Sequence, residues 1–401
     1  MTSRVVLGVS GGIAAFKSCE LLRRLTESGH FVRVVPTAAA LEFVGAPTWA
    51  ALSGQPVATD VWDRVHEVPH VRIGQTADLV LVAPATADLL AKAAHGIADD
   101  LLTNTLLTAR CPVLYVPAMH TEMWEHPATV DNVATLRRRG AVVLDPAAGR
   151  LTGADTGKGR LPEPDEIFAV ATQLLRRGSL TADLAGRRVV ITAGGTREYL
   201  DPVRFLGNSS SGKQGYAFAR TAAARGAHVT VVAANVALPD PAGVEVVRVT
   251  TTEQMRVAVL QATEGADAVV MAAAPSDYRP TEYSGEKLKK RDDGTAPVLR
   301  LTVNPDIAAE LGRKKPAGQV LVTFAAETAE GAAGVANART KLLAKNADMI
   351  VLNVVGRDRI FGADDSLVTV LDAGGVLTEL GPMTKDAVAD SVWDLALGRM
   401  S

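Results

Sequence analysis

Residues 191–215 read ITAGGTREYLDPVRFLGNSSSGKQG. An apolar run enters this stretch and meets Gly194 and Gly195, followed by the pair Arg197 and Glu198, a Pro turn and the polar cluster Asn208-Ser209-Ser210-Ser211-Gly212-Lys213. Small hydroxyl and amide side chains, glycines that let a ligand approach the backbone, and a lysine ahead of a helix suit a phosphate or another anion. Gly/Ser/Asn clusters are more often plain surface loops. Here the apolar run before the cluster and the Ala-rich helical sequence from about Tyr216 make a strand–loop–helix setting, which favours the anion site.

Further groups with chemistry are spread along the chain. GVSGGIAAFK (8–17) carries Ser10, Gly11 and Gly12 between an apolar run and a helix. Its spacing is not GxGxxG, so it reads either as a single-phosphate site at a helix N-terminus or as a tight turn. APATADLLAK (83–92) and PAMHTEMW (117–124) leave two more apolar runs. In an open parallel sheet ligands sit beyond the carboxyl ends of the strands, so these loops are expected to share one crevice. His70, in VPHVRI, is either a base able to take up a proton near neutral pH or a surface histidine in a loop after Pro69. MAAAPSDYRP (271–280) brings Asp277, and GEKLKKR brings Lys287, Lys289, Lys290 and Arg291. Such a cation run is usually a solvated face. Lys341 and Lys345 stand one helical turn apart, which suits one phosphate chain or one exposed charged face equally.

The elements that must position these groups alternate in type. Candidate strands are 4–9, 31–36, 79–84, 113–117 and 141–144, then 188–192, 228–233, 245–249, 267–272, 320–324 and 348–352. Ile13, Phe16, Leu21, Leu22 and Leu25 mark one helical face that stops near Ser28-Gly29. Strands separated by helices imply parallel sheets with right-handed crossovers. Residues 145–165 are crowded with Gly and Pro and lack an apolar period, as expected of a connector or a flap. A helix is expected near 165–177, and LVTVLDAGGVLTEL reads as a hairpin turning at Asp372 to Gly375. A chain of 401 residues exceeds one ordinary core. The expected division is a domain at 1–178, a linker at 179–186 and a domain at 187–401, each α/β with a doubly wound sheet.

Composition excludes several classes. The net charge of −2 offers no general attraction to nucleic acid or an anionic membrane. No apolar run approaches the roughly 18 residues needed to span a bilayer. The N-terminal MTSRVVLGVSGG lacks the order of regions of a signal peptide, and Cys19 and Cys111 stand far apart without CxxC spacing. A reduced, cytoplasmic protein without a disulfide framework is expected.

TAGGTREYLDPVRFLGNSSSGKQG resembles the signature of the phosphopantothenoylcysteine synthetases, and the first half resembles the flavin-dependent phosphopantothenoylcysteine decarboxylases. Together they are similar to the bifunctional family that carries both steps of coenzyme A synthesis. The resemblance implies a flavodoxin-like first domain that binds FMN through Ser10, Gly11, Gly12, Thr37, Pro84, Ala85, Thr86 and Met119, with His70 as catalytic base. In that family the flavin oxidises the thiol-bearing carbon, CO2 leaves from the resulting thioaldehyde, and the reduced flavin returns its hydride. Three positions depart from the family pattern. His120 stands at the asparagine of PAMN, and Gln75 replaces a common arginine. Gly153 matches the flap cysteine that donates the last proton. Asp155, water or His120 is the expected substitute.

For the second, Rossmann-like half, the resemblance implies ligation through an acyl-cytidylate formed from CTP, with Asn208 at the acyl oxygen and Lys287 as catalytic lysine. The implied CTP contacts are Met271, Ala272, Ala273, Asp277, Lys287, Asn304, Pro305, Asp306, Ile307, Phe324, Lys341 and Lys345, and Asp277 would meet Mg2+ or Mn2+. Pro275-Ser276 replaces a more common Val-Ala. The family also implies trimeric contacts through the flavin half and dimeric contacts through the synthetase half. Two other readings are a single-activity ligase whose first half serves assembly, and a non-enzymatic flavin-binding regulatory subunit.

Overall fold

The short Val/Leu runs become parallel strands and the Ala-rich segments between them become helices. The computed structural model describes residues 2–57, 69–150, 156–178, 182–289, 298–327, 329, 331–354 and 365–400. Gly153, Asp155, Lys290, Arg291 and part of the expected linker (179–181) lie outside the described residues. The chain forms two compact units, Met1–Ala182 with Pro241–Gly243, and Asp183–Asp240 with Val244–Ser401.

The first unit holds a five-stranded sheet in the order Phe31–Pro36, Arg4–Val9, Leu79–Ala85, Val113–Pro117, Val142–Val143. All four pairings are parallel. Leu79–Ala85 is buried along its whole length, as a central strand covered on both faces must be. The chain first runs outward to Phe31–Pro36 and then returns to the other side of Arg4–Val9. The winding therefore reverses between Arg4–Val9 and Leu79–Ala85, the flavodoxin-type order in which a ligand crevice opens beyond those two strand ends.

Two expectations change here. Helix Ala15–Glu27 buries Ala15, Ser18, Leu21, Leu22 and Leu25. Ile13 and Phe16 are instead 71% and 59% exposed, because Ile13 precedes the helix and Phe16 points off its buried stripe. Residues 145–165 contain an antiparallel ribbon, Ala147–Arg150 against Thr156–Arg160. It showed no apolar period because glycine backbone makes its contacts. A Cβ on Gly157 would stand 2.2 Å from Thr121 Oγ1, and one on Gly159 would stand 2.1 Å from the Met119 carbonyl oxygen.

The second unit is built on eight strands: Val244–Val249, His228–Ala234, Arg188–Gly194, Ala268–Met271, Val320–Glu327, Met349–Val354, Asp365–Asp372 and Gly375–Thr384. The first six run parallel and the last two form the expected hairpin, with Asp372 opposite Gly375. Trp393 and Phe324 both meet the Phe218 ring edge-on at 5.7 Å, and Trp393 Nε1 donates to the Phe218 carbonyl at 3.1 Å. The winding reverses between Arg188–Gly194 and Ala268–Met271, so the crevice opens at Gly194-Gly195 and Ala272–Pro275. Two short ribbons stand at this end, Arg197–Tyr199 with Phe205–Gly207 and Tyr278–Pro280 with Leu301–Val303. They were not expected, since three-residue strands carry too few side chains to show a period.

Gly194 has φ +83°, and a Cβ on it would lie 2.0 Å from the Ala234 carbonyl oxygen. Strain and backbone overlap together put the cost of Gly194→Ala at roughly 2–4 kcal/mol. Calorimetry of the full chain should show the unfolding of the second unit moving to lower temperature while that of the first unit stays in place. An unchanged profile would contradict the close approach.

Candidate active sites

In the first unit the hydroxyl of Ser10 joins the two strand ends at the reversal. Ser10 is 2% exposed; its Oγ donates to the Pro84 carbonyl at 2.7 Å and accepts the Thr86 N–H at 2.9 Å. Its single proton is therefore engaged, and the side chain holds the loops together rather than facing a phosphate. Thr37 and Thr86 cap helices Ala38–Leu41 and Ala87–His95 by accepting from Ala40 N–H at 3.2 Å and Leu89 N–H at 3.3 Å. Among the described residues neither hydroxyl donates elsewhere, so both protons can serve an anion. Gly11 packs on Ala39, where a Cβ would stand 2.4 Å from the alanine methyl, while Gly12 has only Thr86 Cγ2 at 4.0 Å. Pro84 and Ala85 end the buried central strand.

Met119 donates its N–H to the Gly159 carbonyl at 3.0 Å, fixing the Gly-rich ribbon to the loop that carries His120. His120 is exposed and stands just before helix Thr121–Trp124. His70 lies in helix Pro69–Thr76 and not in a loop, because Pro69 suits a first helical turn. That helix crosses Leu101–Thr108 closely at Gly74, where a Cβ would stand 2.3 Å from Thr108 Oγ1, and Thr108 donates to the His70 carbonyl at 2.9 Å. The His70 Nδ1 is buried and has no hydrogen-bond partner among the described residues. An orphaned ring nitrogen near the start of a packed helix, together with two free threonine protons at the reversal point, fits a bound flavin and its substrate.

The second unit has a cavity of about 380 Å³ at its reversal point. Nine of the expected nucleotide contacts line it: Met271, Ala273, Asp277, Asn304, Pro305, Asp306, Ile307, Phe324 and Lys345. Ala272 does not line it and packs on the Phe218–Trp393 core instead, because residues 271 and 273 take the opposite side of the extended backbone. Lys341 is also outside the lining; its Nζ lies 2.6 Å from Glu327 Oε1. Lys345 follows the end of helix Gly331–Ala344, its N–H still donating to the Lys341 carbonyl at 3.0 Å, but its ammonium takes a different partner. A Cβ on Gly312 would stand 1.8 Å from the Lys345 carbonyl oxygen, and Asn346 Nδ2 donates to the Gly312 carbonyl at 2.7 Å. This crossing brings Lys345 Nζ to 2.9 Å from both oxygens of Asp306, the cap of helix Ile307–Lys314. Partial burial favours the neutral acid of Asp306, but the Ala309 N–H and the Lys345 ammonium outweigh it and hold the carboxyl below its usual range.

The Asn304 side chain is committed within the protein. Nδ2 donates to the Ser276 carbonyl at 2.8 Å and to Thr252 Oγ1 at 3.3 Å, while Oδ1 accepts from Arg279 at 2.8 Å. Thr196 Oγ1 lies 2.9 Å from Thr252 Oγ1 and accepts the Ser276 N–H at 2.8 Å. Buried Glu198 takes the Thr252 N–H at 2.8 Å. This network shapes one cavity wall. Sequence reading missed Thr196, Thr252 and Arg279, whose types are too common to stand out.

Asn208 Nδ2 donates to the Pro275 carbonyl at 2.9 Å, tying its loop to the cavity rim. Lys287, the third expected nucleotide contact that does not line the cavity, is exposed, on a segment anchored to the 200–204 turn. Asp201 in that turn is fully buried. Its enclosure opposes ionisation, but the N–H groups of Val203, Arg204 and Leu288 and the Arg204 guanidinium prevail and lower its carboxyl to about 2. The Asp-Pro turn signal was visible in DPVR, yet nothing local to it pointed to Leu288. No three His, Cys, Asp or Glu side chains among the described residues are grouped to hold a metal ion.

Residues 1–176 match the Flavoprotein family model, and residues 184–398 match that of the DNA/pantothenate metabolism flavoprotein C-terminal domain. The coenzyme A biosynthesis bifunctional protein CoaBC of Mycobacterium tuberculosis is 56% identical over 399 residues, covering 98% of this chain and 95% of the relative. The CoaBC of Bacillus subtilis is 43% identical, covering 95% of this chain and 93% of the relative. The chain belongs to the bifunctional coenzyme A biosynthesis protein family. A crystal structure of the C-terminal domain of a CoaBC aligns at 37% identity and a TM-score of 0.46, covering 54% of this chain and 97% of that one. The enzyme thus pairs a flavoprotein decarboxylase half with a ligase half for two steps of coenzyme A biosynthesis. The match along both halves does not favour a single-activity ligase or a non-enzymatic flavin-binding subunit.

Removing the Ser10 hydroxyl would leave the Thr86 N–H unpaired inside the enzyme and the Pro84 carbonyl with only the longer bond from the Ser10 N–H, at a cost of roughly 1–3 kcal/mol. Ser10→Ala should therefore purify with less bound flavin per chain, read from its visible absorbance. Full flavin content and unchanged stability would show that the hydroxyl does not hold the crevice.

Proposed function

We propose that residues 187–401 join cysteine to 4′-phosphopantothenate with CTP, and that residues 1–178 decarboxylate the product to 4′-phosphopantetheine with FMN. The observation that carries the ligase reading is the cavity at the strand reversal, where Lys345, the start of helix Ile307–Lys314 and Phe324 face one space. A carboxylate oxygen is a poor leaving group, so attack on the α-phosphorus of CTP, with loss of pyrophosphate, makes a reactive acyl-cytidylate. The cysteine amine then displaces CMP.

The helix N-terminus and Lys345 suit the negative charge of the nucleotide, and Lys287 would add a cation over the triphosphate. A phosphate would share Lys345 with Asp306. Asn208 Nδ2 donates to the Pro275 carbonyl at 2.9 Å and at 3.4 Å to the Ala274 carbonyl, and the acyl oxygen would replace the longer of the two contacts. Mg2+ or Mn2+ would arrive largely coordinated by phosphate oxygens and water, with exposed Asp277 as one ligand. Phe324, edge-on to Phe218, offers a fixed apolar wall to the nucleotide.

In the first half, bound FMN supplies a two-electron oxidation that creates the electron sink for CO2 loss, and then returns the electrons. Thr37 and Thr86 would hold its phosphate, and His70 Nδ1 is the enclosed base able to take up the substrate proton. Gly153 supplies no thiol, so His120, Asp155 or an ordered water would return the last proton. Exposed Ile13, Phe16 and Phe43 in the first unit, and Tyr278, Val298, Leu301 and Val303 in the second, support association of like subunits, trimeric through the flavin half and dimeric through the ligase half. Among the described residues no helix is long and apolar enough to cross a membrane, in keeping with a cytoplasmic enzyme.

A coupled assay that measures CMP and CO2 separately tests both halves. Lys287→Gln should lower CMP formation by about 10²-fold or more, as loss of a transition-state charge partner does, with little change in melting temperature. Equal losses in turnover and folding would make the lysine structural. Asn208→Asp should retain CTP binding while slowing ligation, and unchanged turnover would remove Asn208 from the reaction. Protein with flavin bound that releases no CO2 from phosphopantothenoylcysteine would refute the decarboxylase assignment.

A further inference from the structure

Asp201 does not line the cavity, yet it is the most heavily hydrogen-bonded acid at this end of the second unit. Oδ1 accepts the N–H groups of Val203 and Arg204, both at 2.8 Å, which closes the turn between Arg197–Tyr199 and Phe205–Gly207. Oδ2 accepts Arg204 Nε at 2.9 Å and the N–H of Leu288 at 3.1 Å, a residue 87 positions away. Arg204 completes the clamp by donating to the Leu288 carbonyl. Ser284 donates its N–H to the Leu200 carbonyl at 3.0 Å. The 284–288 segment is thus fastened to the 200–204 turn at both ends, with Lys287 between the fastenings. On the other side of the same turn the chain passes through Phe205–Gly207 directly into Asn208.

We infer that Asp201 is a positioning residue for the ligation, fixing the backbone of the Lys287 segment against the loop that carries Asn208. The inference rests on the role given to Lys287 above. A purely local turn needs only Oδ1; the second oxygen and the guanidinium are spent on a distant peptide group, and that peptide group adjoins the lysine. An exposed lysine on a Gly/Ser-rich segment would otherwise lose conformational freedom each time it met the nucleotide. Misplacing a reacting group by about 1 Å can cost about 10²-fold in rate.

The test is a double-mutant cycle in the full chain with Asp201→Asn and Lys287→Gln, following CMP release. Asp201→Asn alone should lower kcat by about 10- to 100-fold with the KM for CTP changed less than about threefold. In the Lys287→Gln background it should remove less than about a further threefold, because its effect passes through the lysine. Limited trypsin digestion should cut after Lys287 at least tenfold faster in Asp201→Asn than in the parent. CO2 release by the first half serves as an internal control and should not change. Losses that multiply independently, or unchanged trypsin cleavage, would overturn the inference. Unchanged turnover in Lys287→Gln alone would instead overturn the lysine's role. If Asp201→Asn does not fold, Asp201→Ser keeps a turn acceptor without the second oxygen, and the same coupling is expected of it.

Discussion

The ligase half depends on how closely two strand ends approach each other at the reversal of its sheet. Gly195 and Ala274 form a lone parallel bridge beyond their strands, and the Ala274 N–H donates to the Gly194 carbonyl at 2.8 Å. A Cβ on Gly195 would stand 2.4 Å from the Asn208 carbonyl oxygen, so the loop carrying Asn208 can lie against this bridge only because residue 195 has no side chain. Once the ends meet, Asn208 reaches the Pro275 carbonyl, and Thr196 takes the Ser276 N–H. The cavity wall therefore follows from main-chain geometry first and from side chains second. Glycine is required here because it occupies no space, beyond any freedom of its torsions.

The flavin half meets the same problem with a side chain. Its reversal point is stitched by Ser10, whose hydroxyl satisfies the Thr86 N–H, which the strand ends would otherwise bury unpaired, and adds to the backbone bond on the Pro84 carbonyl. The Ser10 proton is thereby engaged within the protein, whereas the hydroxyls of Thr37 and Thr86 only accept from the N–H groups they cap. The Gly-rich ribbon at 147–160 follows the glycine rule again, seating its backbone on Met119 and Thr121. Both halves thus carry loops anchored on rigid strand ends, which is where parallel sheets leave polar backbone free.

Most strands were legible because a strand buried on both faces needs a run of Val, Ile and Leu, and such runs stand out. Strand Leu79–Ala85 is a clear instance, while the hairpin at Asp372–Gly375 was legible from its Gly-containing turn. The short ribbons were illegible for the converse reason: at Arg197–Tyr199 and Tyr278–Pro280 the backbone pairs without any side-chain alternation to read. Ile13 and Phe16 misled because apolar residues beside a helix resemble part of its buried face. Among site residues, positions 271, 273, 277 and 304–307 do gather at one cavity, whereas Ala272, Lys287 and Lys341 do not line it. Their neighbours alternate or turn away in ways that depend on where a strand or helix stops, and element ends are the least legible feature of a sequence.

By itself the sequence determined the alternation of strands and helices, the loops rich in Gly, Ser and Asn, and the family to which those motifs belong. These are matters of residue type and spacing, which the chain carries locally. Only the tertiary structure decided which hydroxyls and amides were already engaged, that Asn304 is a wall rather than a free contact, and that Asp201 reaches Leu288. Hydrogen-bond commitments between residues tens of positions apart depend on which loops the sheet brings together, and no local pattern encodes that meeting.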